Sequence, residues 1–348
     1  KKLKMKLLSL IIPAYNVESY IYFLIQSIIE NVNCSLSSFE IVVVNDGSKD
    51  ITLEEIKRAK RDFSDFDITY ISQNNQGVSA ARNVGLFLAK GKFVWFIDGD
   101  DAIAKVSLCS IMHIIEQYKG NIDVIRIGNC ISETLYDDNN VVVNYIPQVE
   151  SSKTQLINSI EFLSNQYEHG HTVYLWRNEF LKVNSVFYPI GITINEDYNF
   201  LFRALIKAKK AVYNPTFRFY FARENMTSVS RRPLTIDRMK MIIDCKVKNI
   251  IHFIQYKQMN KLDDLRSVEL VNEYFDTYVI NTFKTLFALD LPYKFKKSVL
   301  DELNKNIIYP QSCGMEKFLL SNDFIYRYGA FIMKVYLKMK RVIRKFPK

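Results

Sequence analysis

The sequence predicts an α/β fold: a mostly parallel sheet flanked by helices, followed by a helical C-terminal domain. Short apolar runs alternate with segments of helical period four times in the first hundred residues, with connections of a few residues. Such alternation implies right-handed βαβ crossovers and a parallel sheet with helices on both faces. Beyond Pro233, helical spacing dominates to the end of the chain. We therefore expect two domains that meet near residue 233.

The first half of the predicted sheet follows from four apolar runs of strand length. Pro13 is expected to end the first strand, since proline lacks the N–H group that a ladder needs. The predicted strands are Leu7–Ile12, Glu40–Val44, Asp67–Ser72 and Phe93–Ile97, and the helices between them are Asp50–Arg61 and Val78–Ala89, after a first helix that ends near Asn31.

The second half has a weaker pattern. Ser152 and Gln155 have the spacing of a capping box, which predicts a helix. The remaining predictions are helices at Val106–Tyr118, Asp197–Lys209, Ile236–Met259, Asp263–Leu289 and Met315–Lys345, strands at Asp123–Gly128, Thr172–Arg177 and Phe217–Arg223, and a hairpin or loop at Ser132–Glu150.

Composition narrows the class of protein. The 348 residues carry a formal net charge of +10, which suggests an anionic partner such as nucleic acid, anionic lipid or a phosphorylated substrate. No nucleic-acid-binding motif accompanies the charge, so nucleic acid is not expected. The five cysteines form no C-x-x-C pair, which argues against a zinc site and a disulfide framework. A cytoplasmic location is the default, and the segment KKLKMKLLSLII is interpreted as a first strand rather than a signal peptide.

Three carboxylates directly follow the fourth predicted strand. Asp98, Asp100 and Asp101 surround Gly99, and like charges this close are easiest to explain if a cation lies among them. Carboxylate oxygens suit Mg²⁺ or Mn²⁺ shared with a phosphate. The carboxyl ends of parallel strands share one edge, so Asp46, the Asn74–Arg82 segment and these aspartates should converge on one crevice. A turn followed by an aspartate-capped helix is the competing interpretation of the aspartates alone.

Four motifs carry a family resemblance. SLIIPAYNVESYI, IVVVNDGSKD, NNQGVSAARNVGL and FVWFIDGDD occur in this order, and together they resemble the nucleotide-binding half of a family 2 glycosyltransferase with the GT-A (Rossmann-like) fold, of the bacterial surface-polysaccharide type. Residues 102–232 resemble the acceptor half more loosely, through Trp176-Arg177, the Phe187–Pro189 turn, Asn195–Asp197 and the segment from Arg223 to Ser228. The resemblance covers about residues 7–232.

The resemblance implies domains and residue roles. Residues 1–232 would form the transferase domain, with a donor half over about 1–101 and an acceptor half over about 102–232, and residues 233–348 a helical domain. Asp46 would hydrogen-bond uracil, and Asp197 would be the catalytic base, with Glu196 either positioning the acceptor or serving as the base. Asp100 and Asp98 would hold Mn²⁺ or Mg²⁺. The nucleotide and donor sugar would be bound by Pro13, Ala14, Tyr15, Glu18, Asp46, Gln76, Gly77, Ser79, Arg82, Asp98 and Gly99, and the acceptor by Trp176 and Arg223.

The implied activity is an inverting, metal-dependent transfer of a hexosyl or N-acetylhexosaminyl group. The donor would be a nucleotide-sugar, by resemblance a UDP-sugar, and the acceptor a hydroxyl of a saccharide or lipid-linked saccharide in capsule, O-antigen or exopolysaccharide synthesis. One carboxylate base and no second nucleophile imply a single displacement with inversion. Competing classes are a metal-dependent nucleotidyl- or phosphotransferase and a non-catalytic protein that binds nucleotide-sugars or nucleic acid.

Several residues keep two interpretations at this stage. Glu196 and Asp197 are also a common helix start, and Trp176 suits either a sugar face or core packing. His169 and His171 are interpreted as a polar loop rather than a metal site. Residues 331–348 form a basic amphipathic pattern, which suits either peripheral binding to the anionic inner face of the plasma membrane or packing on the enzyme. The helical C-terminal region could also serve an oligomer.

Overall fold

A computed structural model describes residues 6–30, 38–104, 107–118, 121–128, 150–158, 170–223, 233–259 and 265–306. The chain divides into two compact units, Lys1–Ser228 and Val229–Lys348. Several sequence predictions lie outside the described residues: the hairpin or loop at 132–149, His169, the helix at 315–345 and the basic segment 331–348.

The first unit is built on an eight-stranded mixed sheet. Its strands, in sheet order, are β3 (Ile68–Ser72), β2 (Phe39–Asn45), β1 (Leu8–Ala14), β4 (Phe93–Phe96), β8 (Tyr174–Arg177), β6 (Val124–Arg126), β9 (Lys210–Tyr213) and β7 (Gln155–Asn158). Neighbours from β3 to β4 are parallel, and β8 pairs antiparallel with both β4 and β6. A separate antiparallel pair joins β5 (Ala102–Ile103) to β10 (Tyr220–Phe221). The predicted α/β fold with a mostly parallel sheet is confirmed.

Helices cover the sheet and form the second unit. Those of the first unit are α1 (Ile21–Ile29), α2 (Thr52–Asp62), α3 (Val78–Leu88), α4 (Ser107–Gln117), α5 (Asn178–Val183) and α6 (Glu196–Lys207), and those of the second are α7 (Ile236–Met259), α8 (Leu265–Ala288) and α9 (Tyr293–Asn306). Among the described residues, no helix combines the length and the apolar character needed to cross a membrane.

Strand β1 continues through Pro13, where the sequence predicted its end. Pro13 pairs with Val44 of β2, whereas the pairing of β1 with β4 ends at Ile11. The Ile11 carbonyl accepts from Ile97 on the β4 side. Since alternate residues of a strand point the same way, the Pro13 nitrogen also faces that side, beyond the end of the β4 ladder. The missing N–H group therefore costs no ladder hydrogen bond.

The segment after Ser152 is a strand rather than the predicted helix. Residues Ser151–Lys153 form one 3₁₀ turn, and Gln155–Asn158 then pair antiparallel with β9 as β7. The local capping pattern is overridden by sheet pairing with β9, a strand that the sequence analysis also missed. Helices α5 and α9 were not predicted either.

The antiparallel strand β8 determines what lies beside the end of β4. Phe93 pairs with Arg177 and Trp95 with Leu175, so the start of β8 adjoins the carboxyl end of β4. The indole N–H group of Trp95 donates to the Thr172 carbonyl at 2.7 Å and anchors the 3₁₀ turn that precedes β8. Residues before β8 are thereby brought next to the carboxyl end of β4.

Candidate active site

Asp46 organises the loop after β3. It is 2% exposed, and its Oδ1 accepts from the Gln73 side-chain amide at 2.7 Å and from the Gln76 backbone N–H group at 2.9 Å. Its Oδ2 accepts from the Gly77 N–H group at 2.8 Å, where Gly77 has φ +88° just before α3. Both carboxylate oxygens therefore hold the segment that leads into α3, as expected if the strand ends converge.

Arg82 joins residues that lie far apart in the sequence of the first unit. From α3, its guanidinium donates to Asp98 Oδ1 at 2.8 Å and to Glu196 Oε1 at 2.9 Å, and it lies 4.9 Å from the Tyr188 ring centroid. Arg82 is 3% exposed. Burial alone would lower its pKa, but the carboxylates of Asp98 and Glu196 raise the pKa above its ordinary value. Burial would likewise raise the pKa of Asp98, but Arg82 and His171 outweigh it and lower that pKa well below the usual range.

His171 lies between two carboxylates of the site. Its Nε2 is 3.5 Å from Asp98 Oδ1, and its Nδ1 is 3.9 Å from Asp197 Oδ2. The residue is 4% exposed, and within the described residues neither ring nitrogen forms a hydrogen bond. Burial and Arg82 oppose protonation of the imidazole, yet Asp98 and Asp197 prevail and raise the pKa of His171.

The turn after β4 is fixed by hydrogen bonds to residues of β10 and just after it. The Tyr220 hydroxyl donates to Asp101 and accepts from the Asp98 N–H group. Arg223 donates its N–H group to Asp101 Oδ1 at 2.8 Å and its Nε–H to the Asp100 carbonyl at 3.0 Å. Burial, with Asp98 and Asp100 close by, raises the pKa of Asp101 well above the ordinary carboxyl value. Asp101 therefore shapes the turn, and Asp98 and Asp100 are the half-buried carboxylates beside it.

The other predicted donor residues line the same edge. Pro13 and Ala14 end β1, and a Cβ added at Gly99 would lie 2.8 Å from the Pro13 carbonyl oxygen, so only glycine fits there. Tyr15 and Gln76 are exposed. Glu18 accepts from the Ile51 N–H group near the start of α2.

The acceptor-side candidates Trp176 and Arg223 and the donor-side candidate Ser79 have protein neighbours that bear on their predicted roles. Trp176 is fully buried in β8, stacked on Phe180 and edge-to-face with Phe200. Of the two interpretations of Trp176, core packing is therefore correct and stacking on a sugar is wrong, because no face of the ring is accessible. Ser79 is 3% exposed and its hydroxyl lies 3.5 Å from the Ile192 carbonyl, while Arg223 contacts the aspartate turn described above.

Sequence reasoning missed His171 and Tyr188 as members of the site. Tyr188 is 2% exposed and stacks on Phe200 with ring centroids 4.1 Å apart. It also forms a cation–π interaction with the Arg82 guanidinium. The available signal for His171 was its position directly before the buried strand TVYLWR, but its approach to Asp98 depends on antiparallel pairing that local sequence does not disclose.

The donor set is compatible with a metal that is shared with a substrate. Asp98 and Asp100 supply the hard carboxylate oxygens that Mg²⁺ and Mn²⁺ prefer. In the part of the chain that the structure describes, no group of three or more His, Cys, Asp or Glu side chains could hold a metal ion by itself. Mg²⁺ in particular is commonly bound by one or two carboxylates together with phosphate oxygens, so the residues fit a metal completed by a diphosphate.

The chain is similar in sequence to known proteins. The model of the family described as "Glycosyl transferase family 2" matches residues 9–221. The chain is 30% identical over 237 residues to an uncharacterized glycosyltransferase, EpsJ of Bacillus subtilis (strain 168), covering 65% of this chain and 64% of EpsJ. It is 24% identical over 249 residues to the poly(ribitol-phosphate) β-N-acetylglucosaminyltransferase TarS of Staphylococcus aureus, covering 69% of this chain and 40% of TarS. The chain thus spans less than two thirds of the length of these relatives.

Solved structures show the same fold. The crystal structure of S. aureus TarS 1-349 in complex with UDP-GlcNAc has a TM-score of 0.66 at 21% identity, covering 86% of this chain and 80% of that one. The mannosyltransferase PcManGT from Pyrobaculum calidifontis, in complex with GDP-Man and Mn²⁺, has a TM-score of 0.51 at 12% identity, covering 96% and 86%. The predicted GT-A fold is confirmed by these similarities.

Proposed function

The chain belongs to glycosyl transferase family 2, and from that premise we propose that it transfers a sugar from a UDP-sugar to a hydroxyl group of a saccharide or lipid-linked saccharide, with inversion. The observation that carries the proposal is the Arg82 bridge. It brings Asp98, at the end of a donor-half strand, and Glu196, at the start of α6, onto one guanidinium. A donor and an acceptor bound on either side of this bridge would meet.

The nucleotide would occupy the edge formed by the ends of β1 and β2 and the loop held by Asp46. Ligands of open α/β sheets bind at the carboxyl ends of the strands, where these residues lie. UDP is favoured over other nucleotides because TarS, which has the higher TM-score of the two structures above, has been solved with UDP-GlcNAc. The same likeness makes an N-acetylhexosaminyl group a reasonable first donor to test.

Asp100, together with Asp98, would hold Mg²⁺ or Mn²⁺ beside the diphosphate. When bound, the cation would supply electrostatic stabilisation of the charge that develops on the leaving diphosphate oxygens. Support comes from the carboxylate chemistry of this turn and from Mn²⁺ in the PcManGT complex. Asp98 is also the partner of Arg82 and His171, so Asp100 is the residue whose removal tests the metal most directly.

Asp197 is the stronger candidate for the catalytic base. It lies in the first turn of α6 with a side chain that is 21% exposed, so an acceptor hydroxyl could reach it. Glu196 is 12% exposed and paired with Arg82, which suits a role in holding the site together. A carboxylate at hydrogen-bond distance can accept the proton as the hydroxyl attacks the anomeric carbon. A linkage with retained configuration would contradict this single-displacement reaction.

The biological setting follows from the relatives and remains part of the proposal. TarS acts on poly(ribitol-phosphate), and the family resemblance is to enzymes of bacterial surface polysaccharides. We propose that residues 1–232 carry out the transfer, with donor binding over about 1–101 and acceptor binding over about 102–232, and that residues 233–348 form a separate helical domain.

The decisive experiment is a calorimetric binding screen. UDP, GDP, dTDP and CMP are titrated with and without Mn²⁺ into the wild type, Asp100→Ala and the control Asp65→Ala, which removes an exposed carboxylate of the α2–β3 connection. We expect UDP to bind in a Mn²⁺-dependent manner to the wild type and the control, and to lose that dependence in Asp100→Ala. No binding of any nucleotide would contradict the proposed function.

Product analysis then separates transfer from related chemistry. Incubation with UDP-sugars should release UDP. Transfer of the nucleotidyl group from the same donor would instead release a sugar 1-phosphate, and transfer of the phosphosugar would release UMP. UDP release that requires both Asp100 and Asp197 would support glycosyl transfer.

A further inference from the structure

We infer that His171 is a positioning residue that sets the Asp197 carboxylate relative to the donor-side Asp98. This inference rests on the proposed function, because it concerns the orientation of the proposed base. His171 belongs to neither the Asp-x-Asp turn nor the Glu-Asp pair. It is the imidazole that spans the gap between them, with one ring nitrogen turned to each carboxylate.

The two distances show why the imidazole is a bridge. Nδ1 lies 3.9 Å from Asp197 Oδ2 and Nε2 lies 3.5 Å from Asp98 Oδ1, which are ion-pair distances somewhat longer than hydrogen bonds. Contacts of catalytic groups are often long in a substrate-free enzyme and shorten when the substrate binds. A shift of less than 1 Å at each side would turn both contacts into hydrogen bonds.

The fold gives His171 little room to move. The turn that carries it is anchored by the bond from the Trp95 indole to the Thr172 carbonyl, and by the Ile127 N–H group donating to the Val173 carbonyl at 3.0 Å. The Tyr188 ring meets the imidazole edge-to-face with centroids 5.8 Å apart. A 4% exposed polar ring in such a fixed place, with both nitrogens directed at carboxylates, is arranged to orient them.

The charges around the bridge explain why Asp197 needs this support. Arg82 forms ion pairs with Asp98 and Glu196, whereas none between Arg82 and Asp197 is found in the described residues. Asp197 Oδ1 accepts from the Tyr198 N–H group at 2.9 Å, and its Oδ2 faces His171. Without the imidazole, the second oxygen would lose the ring nitrogen that faces it, and the carboxylate could rotate away from the acceptor.

The test uses amides that replace one ring nitrogen at a time. His171→Asn places an amide near the position of Nδ1 and can still reach Asp197, whereas His171→Gln places it near Nε2 and can reach Asp98. His171→Ala removes both contacts, and His113→Asn on the exposed face of α4 is the control. Each variant is assayed for UDP affinity by calorimetry and for UDP release from the UDP-sugar identified by the product analysis, with water as the acceptor.

We expect His171→Ala to lower kcat by about 100-fold, because a displacement of about 1 Å in a reacting group can cost that much. UDP affinity should change less than about threefold, and His171→Asn should recover more of kcat than His171→Gln. If the Asn variant is no faster than the Ala variant, or if kcat and UDP affinity fall together, the inference is overturned. The control variant should behave as the wild type does.

A spectroscopic test separates failure of the inference from failure of the proposed function. The chain has four histidines, so the ¹⁵N resonances of the imidazoles can be assigned by omission in His171→Ala. Asp197→Asn should shift the Nδ1 resonance of His171, and Asp98→Asn the Nε2 resonance. If the Nδ1 resonance of His171 does not shift in Asp197→Asn, the inference is overturned, whatever the activity of the variant. Absence of UDP release by the wild type with every UDP-sugar overturns the proposed function.

Discussion

Replacement of Arg82 by methionine should strongly destabilise the first unit. Methionine keeps much of the apolar stem but leaves Glu196 and Asp98 without their shared cation. Removing one partner of a buried ion pair costs about 3–5 kcal/mol, because the remaining charge is buried and uncompensated. Asp98 has a side chain that is 33% exposed, so water screens part of its loss, whereas Glu196 at 12% is screened less. We expect the free energy of unfolding to fall by about 3 kcal/mol.

Arg58→Met is the matched control. Arg58 also contacts two carboxylates, Glu55 and Asp62, but its own side chain is 50% exposed. Exposed ion pairs contribute about 0–1 kcal/mol, so this variant should lose no more than about 1 kcal/mol. The comparison isolates the effect of burial on stability, since each substitution removes a guanidinium that pairs with two carboxylates.

Tryptophan fluorescence during urea denaturation measures the effect in the first unit. The protein has two tryptophans, and both Trp95 and Trp176 are fully buried in that unit, so the fluorescence signal reports on the first unit. Adding Glu196→Gln to Arg82→Met should recover part of the loss by removing one unpaired charge. Equal midpoints for Arg82→Met and Arg58→Met would refute the argument that the Arg82 bridge is a buried, stabilising contact.

Three further outcomes follow from the packing and hydrogen bonds. Gly91→Ala places a Cβ 2.4 Å from the Ser9 backbone nitrogen, so thermal unfolding should show that the free energy of unfolding falls by about 1–3 kcal/mol. Gly170→Ala, whose Cβ would have its nearest neighbour at 3.6 Å, should unfold much as the wild type does. Asp46→Ala leaves the N–H groups of the loop before α3 without their acceptor. Calorimetry should therefore show that UDP binds more weakly by about 1–3 kcal/mol. Unchanged UDP affinity would contradict the role of Asp46 in holding this loop. Trp176→Phe opens a cavity in the core and should lower stability, but the KM for the acceptor should not change, since the ring faces no solvent.

The prediction of the fold succeeded where the pattern was local. Buried parallel strands need continuous apolar runs, and β1, β2 and β4 each have one, followed by a polar turn. The capping-box interpretation at Ser152 failed because Gln155–Asn158 gain ladder hydrogen bonds from β9, a strand far away in sequence. Local propensity could not include that partner.

The candidate site, like the fold, was predicted where the signal is local and missed where it depends on distant residues. The aspartates after β4, Asp46 and the Glu-Asp pair could be named from their motifs, because each is attached to the end of a recognisable element. Trp176 was ambiguous, since a strand sequence does not say which face is covered, and full burial excludes a sugar platform. The ion pair between Arg82 and Glu196 was not predicted, because the two residues lie 114 residues apart in the chain.

The sequence alone determined the class of fold, the succession of the first four strands along the chain and the residue types available for metal and base chemistry, because these depend on periodicity and on motifs within short segments. Tertiary structure decided that β8 runs antiparallel to β4 and so brings His171 to Asp98. It also decided that Arg82 is shared between Asp98 and Glu196. Such contacts join residues distant in the chain, and only the packing of the whole sheet establishes which charges are buried together.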